Sequence, residues 1–257
     1  SRCWVGGCGR LRGSMCSGFG TVVIWGVGLI GGSIGMALRQ RGLADEVIGI
    51  GRAGSAGVPE AVRLGAVDRM VTDPEAALAR ADLVILAMPV QAMIDLAPHA
   101  APLFRPGTVV TDVASVKGAV VAAWERRLPD GVAFVGGHPM FGRERSGVAA
   151  ASADLIPGCR WVLTPGERAA TLLNAGRRGG EVSPLELVWE LAAALSADPV
   201  VMSPAEHDRR VAGASHLPQL VATALAAAAR DLDEAEPGTL DLAAGGFRDA
   251  TRIADSP

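Results

Sequence analysis

The sequence predicts an α/β protein, a doubly wound and mostly parallel sheet followed by an all-helical unit. Three observations predict it. From residue 21 to residue 165, short apolar runs rich in β-branched residues alternate with helix-like stretches, the signature of βαβ units. Between the first such run and the first helical stretch stands a glycine-rich turn, Gly26-x-Gly28-x-x-Gly31. From residue 166 onward the strand-like runs give way to alanine-rich helical patterns.

Thr21–Trp25 reads as a buried strand feeding that glycine turn. The motif asks for glycine three times: for a tight turn, for close approach of backbone to a pyrophosphate, and for close helix–strand packing. Leu29 and Ile30 then open a helix whose free N–H groups and positive dipole end suit phosphate. A dinucleotide site in a Rossmann-like sheet is the expectation. The competing reading is a membrane span, because residues 19–38 carry no charge and Arg2, Arg10 and Arg12 lie upstream. The glycines make a poor helix interior, and further strand–helix units follow, so the soluble reading is preferred.

Composition narrows the partners. The 257 residues carry a net charge of −3 and no basic cluster, which argues against nucleic acid or an anionic membrane. Only one of 24 basic residues, Lys117, is lysine. Tyrosine is absent, which excludes reductases built on a Tyr-x-x-x-Lys pair. Cys3, Cys8, Cys16 and Cys159 match no zinc spacing, so no metal is expected and free thiols point to the cytoplasm. Residues 1–18 show no periodicity and are expected to lie outside the fold as a leader, with Met15 a candidate natural start.

The second strand, Glu46–Ile50, ends at Gly51 and Arg52 rather than at the acid that usually bonds a ribose 2′-hydroxyl. Arg52 and Ser55 suit a 2′-phosphate, so NADP is favoured over NAD; Arg52 as a solvated loop charge stays open. Short elements follow: helix 59–64, strand 67–71 and helix 74–80. A strong buried strand at 82–87 runs into Met88 and Pro89, on the nicotinamide side of a doubly wound crevice. Helix 91–103, strand 108–112 and helix 116–127 come next. Strand 132–135 delivers His138, set between a diglycine and a proline where catalytic groups collect. Strand 161–163 closes a dinucleotide-binding domain drawn at residues 19–165. The helical domain, 166–257, holds helices at 184–195, Pro204–Val211 and 217–232 with no convincing strand. Too small to cover its own apolar surface, it should pack on the first domain and on a second copy of itself.

Together, several phrases resemble one family, the prephenate/arogenate dehydrogenases of tyrosine biosynthesis. They are GVGLIGGSIGMAL at 26–38, DLVILAMPV at 82–90, DVASVKG at 112–118, GGHPMFGRERSG at 136–147, MSPAEHDRRVAGASHLP at 202–218 and GGFRDATRIADSP at 245–257. The resemblance implies a nucleotide-binding domain, a helical dimerisation domain and a homodimer. It also implies hydride transfer from a small hydroxycyclohexadiene acid, prephenate or arogenate, with loss of carbon dioxide. By motif position His138 is the group that accepts the hydroxyl proton. Ser115 would help orient it near substrate and cofactor, or simply cap a helix at Val116. Arg252 would clamp a carboxylate, with Arg248 the nearby alternative. His216, His207, Gln219, Lys117 and Glu144 complete the implied substrate side; Lys117 as a solvated turn and Glu144 as a surface charge stay open.

Two departures qualify the resemblance. Many prephenate-using members carry a second histidine directly after Pro218, where this chain has Gln219, which puts the preference for prephenate over arogenate in doubt. Family chains also run on past the final phrase, so a truncated product is expected. Two rivals are weighed against it. β-Hydroxyacid dehydrogenases need Lys-x-x-x-Asn, whereas four residues beyond Lys117 stands Val121. A non-catalytic NADP-binding sensor would have no reason to gather His138, Ser115 and Arg252.

Overall fold

The computed structural model describes residues 18–52, 54, 57–143, 145–169 and 182–255. The leader with Met15, together with Ser55 and Glu144, lies outside the described residues.

The chain alternates strand and helix: β1 (Thr21–Trp25), α1 (Leu29–Gln40), β2 (Glu46–Ile50), α2 (Gly57–Arg63), β3 (Arg69–Val71) and α3 (Glu75–Leu78). It continues through β4 (Leu83–Leu86), α4 (Val90–Ala100), β5 (Val109–Asp112), α5 (Gly118–Glu125), β6 (Ala133–Pro139) and β7 (Arg160–Pro165). Then come α6 (Pro184–Ala194), β8 (Asp198–Val201), α7 (Pro204–Val211), α8 (Leu217–Ala235) and α9 (Gly245–Thr251). The strands form one sheet in the order β3-β2-β1-β4-β5-β6-β7-β8. Every pairing is parallel except β6 with β7. All carboxyl ends from β3 to β6 therefore share one edge.

Both faces of the sheet are covered, which is why β4 reads as an unbroken apolar run rather than an alternating one and why β5 is buried along its whole length. Alternate residues feed two cores. Ile24, Ile85, Val135 and Trp161 join Ile34 and Leu38 of α1 and Leu191 of α6 on one face. Val23, Val84 and Phe134 join Met93 of α4 and Trp124 of α5 on the other.

Two glycines of the turn are forced by geometry. Gly26 has φ +100, the left-handed region that side chains avoid. A Cβ on Gly31 would sit 2.3 Å from the Gly26 carbonyl oxygen, so only glycine lets α1 start this close to β1.

Two features depart from the sequence reading. β6 extends to Pro139 instead of ending at Val135, because its last residues pair antiparallel with β7 after the β5 register stops. His138 is thus held inside a strand, opposite Val162. Second, β8 adds a strand to the region expected to be wholly helical. It is short, at the sheet edge and carries Pro199; proline reads against a strand in general but is tolerated at an edge. α6 also belongs to the sheet's core, through Val188, Leu191 and Leu195.

α7 and α8 form one continuous helical run joined by a π-turn, Ala212–His216. Pro218 has no N–H to give and crowds the preceding carbonyls, a local cause for that widened turn. By length and composition this run, Pro204–Ala235, would suffice to cross a membrane. The span weighed at residues 19–38 is instead a strand, a turn and a helix within the sheet domain.

The turn's geometry gives a test of local stability. Gly31→Ala is expected to lower unfolding free energy by about 1–3 kcal/mol through overpacking. Gly28→Ala, whose Cβ would meet no atom within 4 Å, is expected to leave urea-melt stability within about 0.5 kcal/mol of the parent. Equal losses in the two variants would refute this account of the turn.

Candidate active site

The glycine turn opens into a crevice of about 1000 Å³ along the carboxyl edge of the sheet. Gly26, Gly28, Arg52, Thr72, Met88 and Pro89 are among its lining residues. The cradle fits a dinucleotide. Gly28 leaves open space where a side chain would stand. No side chain caps the start of α1, so the N–H groups of Leu29, Ile30 and Gly31 are free of intrahelical partners for a pyrophosphate. Arg52 is exposed just past β2, with Gly51 where an acid would bind a ribose hydroxyl.

His138 stands at the same edge, on the third strand of the β4-β5-β6 series. Met88 follows β4, so His138 lies two strand spacings away, about 10 Å at the usual separation. Phe134 places even-numbered β6 residues on the α4/α5 face, the face against which the crevice residues Trp25 and Met88 also pack. The segment after His138 returns to the crevice, contributing Ser146, Gly147, Val148 and Ala149 to its wall. The sequence reading assigned these wall residues no role, because the phrase at 136–147 carries no signal of where its loop folds back.

Behind the imidazole is a chain of close contacts. His138 Nδ1 lies 2.8 Å from His207 Nε2, and His207 Nδ1 lies 2.8 Å from Asp208 Oδ1. Asp208 also accepts the backbone N–H groups of Lys117 at 2.8 Å and Gly118 at 2.9 Å, the first turn of α5. Burial raises Asp208's pKa, but the hydrogen bonds from His207, Gly118 and Lys117 outweigh it and hold the carboxyl below its ordinary value. Burial lowers the His138 pKa to about 3, and the charges of Lys117, His207 and His216 press the same way against Asp208. The ring is therefore a neutral acceptor throughout the physiological range.

Beneath β6 lies a buried ion pair. Lys117 Nζ binds Asp112 and donates to the Gly137 carbonyl at 2.6 Å, with both side chains wholly buried. Asp112 in turn accepts from the N–H groups of Ala114 at 2.9 Å and Gly137 at 3.0 Å. Burial lowers the Lys117 pKa, opposed by the charge and hydrogen bond of Asp112.

The structure revises several sequence expectations. Lys117, expected on the substrate side or as a solvated turn, is wholly buried and bonded to Asp112 and to the Gly137 carbonyl, a strut under the strand that carries His138. His207, expected on the substrate side, is wholly buried behind His138. Ser115 is exposed in the turn between β5 and α5, and no hydrogen bond joins it to His138 among the described residues. Nor does it cap α5, which begins at Gly118 with Lys117 at its N-cap. His216, in the π-turn, is near enough for its charge to act on His138. Gln219 donates its amide to the Ile253 carbonyl at 2.7 Å. Arg252 is exposed in a final turn that packs chiefly on α8 and α9, remote from β6 in its principal contacts. Among the described residues no His/Cys/Asp/Glu group has the arrangement of a metal site.

The chain and its fold are similar to known proteins. A family model for the prephenate dehydrogenase nucleotide-binding domain matches residues 34–175, and one for the prephenate dehydrogenase dimerization domain matches residues 203–257. Prephenate dehydrogenase of Bacillus subtilis (strain 168) is 35% identical over 237 residues, 92% of this chain and 61% of that protein. The chain spans 61% of the Lactococcus lactis prephenate dehydrogenase as well. The crystal structure of prephenate dehydrogenase from A. aeolicus, in complex with hydroxyphenyl propionate and NAD+, has a TM-score of 0.80 and 32% identity, covering 92% of this chain and 78% of that one. Synechocystis arogenate dehydrogenase gives 0.72 and 31%, covering 91% and 78%.

The neutral His138 makes stability depend on pH. Unfolded, the imidazole binds a proton below its ordinary value of 6.5; folded, it does so only near 3. Between those values the unfolded state holds the extra proton, so stability falls as pH falls. Across that window the parent is expected to lose about 1.4 kcal/mol per pH unit more than His138→Asn does. Urea melts at several pH values measure it, and parallel slopes would refute the shift.

Proposed function

The chain belongs to the prephenate dehydrogenase family, and from that membership we propose that it oxidatively decarboxylates prephenate to 4-hydroxyphenylpyruvate with a nicotinamide cofactor. The observation that carries the reading is His138: a neutral imidazole fixed at the carboxyl edge beside the dinucleotide crevice. The glycine turn and the N–H groups at the start of α1 would hold the dinucleotide, whose nicotinamide would supply a hydride acceptor for C4 of the substrate ring. His138 accepts the C4 hydroxyl proton through Nε2, the nitrogen not engaged by His207, as the carbonyl forms. Carbon dioxide leaves C1 and the ring becomes aromatic, so the protein's work is chiefly alignment and the handling of one proton.

Arg252 is the proposed clamp for a substrate carboxylate, since a guanidinium fork matches its two oxygens. His216 and Ser115 complete the polar lining near the reacting hydroxyl. NADP is the preferred cofactor, supported by Arg52 on the crevice wall and by the missing acid after β2. Arogenate is the second reading: Gln219 brings no positive charge beyond Pro218, which removes a reason to prefer the keto acid. We draw the division between nucleotide-binding and helical parts after β8 rather than at residue 165, because β8 and α6 complete the sheet's core. A homodimer through the helical part is supported by the exposed apolar face of α8, Leu217, Leu220, Val221, Leu225 and Leu232, spaced as one helical stripe. A free thiol at Cys159 suits the cytoplasm.

The deciding experiment offers prephenate and arogenate with NAD and with NADP, following reduced nicotinamide by absorbance. Turnover of prephenate with NADP is expected, and His138→Asn should lower kcat by about 10²–10⁴-fold while the melting temperature holds. If the variant keeps parental turnover, the proton-acceptor role is wrong. If neither acid is oxidised while NADP binds, the sensor reading replaces this one. Arg52→Ala should raise the KM for NADP about tenfold and leave that for NAD unchanged; an equal effect on both would remove the case for a 2′-phosphate contact.

A further inference from the structure

We infer that His207 and Asp208, on the helix entering the C-terminal segment, set the tautomer of His138 and so decide which of its nitrogens can take a proton. The inference deepens the proposed dehydrogenase reading and rests on His138 acting there as the base. The argument is one of hydrogen-bond polarity, starting from the only group in the chain of contacts whose role is fixed. Asp208 faces two backbone N–H groups, from Lys117 and Gly118, which can only donate. A carboxylate is the species that satisfies both, so Asp208 is acceptor-only. His207 Nδ1, 2.8 Å from the same Oδ1, must then carry a hydrogen and donate it. In a neutral imidazole the other nitrogen is a bare acceptor, so His207 Nε2 receives its hydrogen bond from His138 Nδ1 across 2.8 Å. His138 Nδ1 is protonated as a consequence, and its lone pair is left on Nε2.

Donation therefore converges on Asp208, from the first turn of α5 on one side and from His138 through His207 on the other. His207 is wholly buried, so water cannot supply a compensating hydrogen bond if the chain is broken. Neither residue meets substrate; both are positioning residues. The groups nearest the relay, Lys117 below and His216 from the π-turn, are cations or potential cations, which further favours a neutral His138. The same three residues join two parts of the protein, because the base lies on β6 and its partners lie on α7. Seating of α7 against α5 and competence of the base are thus one event.

Two variants at His207 and one at Asp208 separate polarity from packing. In Asp208→Asn, an amide placed toward His207 donates to Nδ1, reverses both rings and puts a hydrogen on His138 Nε2. Its kcat should fall about 10²–10⁴-fold, as when a catalytic histidine is held in the wrong tautomer, with KM and cofactor affinity changing less than about threefold. His207→Gln can accept from His138 and donate to Asp208, and should keep kcat within about tenfold of the parent. His207→Leu cannot, and should lose as much as Asp208→Asn. The direct readout is nitrogen-15 NMR of histidine-labelled enzyme, in which only four imidazoles appear and the His138 and His207 variants assign two of them. Both rings are expected in the Nδ1–H form in the parent, with His138 reversed in Asp208→Asn. His138 in the Nε2–H form in the parent would overturn the inference, as would His207→Gln falling as far as His207→Leu. Should Asp208→Asn fail to fold, the parent spectrum and the His207 pair decide it without that variant. The spectrum needs no turnover, so an Nδ1–H tautomer in a protein that oxidises neither acid would sink the dehydrogenase reading and leave the relay standing.

Discussion

One carboxylate, Asp208, holds the candidate site in register. It receives the two leading N–H groups of α5 and the ring of His207. An acid at a helix N-terminus gains from the dipole as well as the hydrogen bonds, and bonds to a charged acceptor contribute about 1.5–3 kcal/mol each. Those interactions join elements distant in sequence, 118–125 in the sheet domain and 204–211 at the start of the C-terminal segment. The acid therefore fixes where α7 lies and, through α7, where the base's partner lies.

A second constraint acts from below. Lys117 and Asp112 are both without exposure, and burying two charges costs several kcal/mol per ion before their attraction offsets it. Such a pair contributes little as a general stabiliser. Its use here is geometric. Asp112 accepts the Gly137 N–H and Lys117 donates to the Gly137 carbonyl, so the residue immediately before His138 is held at both of its backbone polar groups. The β5 register has ended by then, at Val135, and the ion pair replaces the ladder that the strand has outrun. Glycine at 137 follows from the same crowding: a Cβ would sit 2.4 Å from the Asp112 carbonyl oxygen.

Much of the sheet was legible because its signal is local. β1 and β2 have the bounds that their apolar runs indicate, and two of the demands the glycine spacing implies, a tight turn at Gly26 and close helix–strand packing at Gly31, are met. The place of His138, beyond Val135 at the carboxyl end of its strand, was legible from the same kind of local signal. What could not be read was pairing across the fold. Nothing in the run Pro204–Val211 says that the His207 ring will be buried against position 138. A lone lysine after a strand reads as readily as a binding residue as a strut. β8 was missed because four residues with an internal proline have neither length nor alternation. Ser55 and Glu144 lie outside the described residues, so their expected roles stand as they began.

The base and the proposed carboxylate clamp belong to differently built regions, and that difference explains how the parts work together. His138 is held by buried hydrogen bonds through its own ring and through the peptide before it. Arg252 lies in a turn fastened to α8 by the Gln219 amide, on a helix whose apolar stripe is exposed. The proposed second copy would cover that stripe without altering β6. In the proposed reading, proton transfer falls to the buried edge of the sheet and carboxylate recognition to the segment that carries the exposed stripe. The Gln219 amide ties α8 to the backbone of the turn that holds Arg252, through the Ile253 carbonyl.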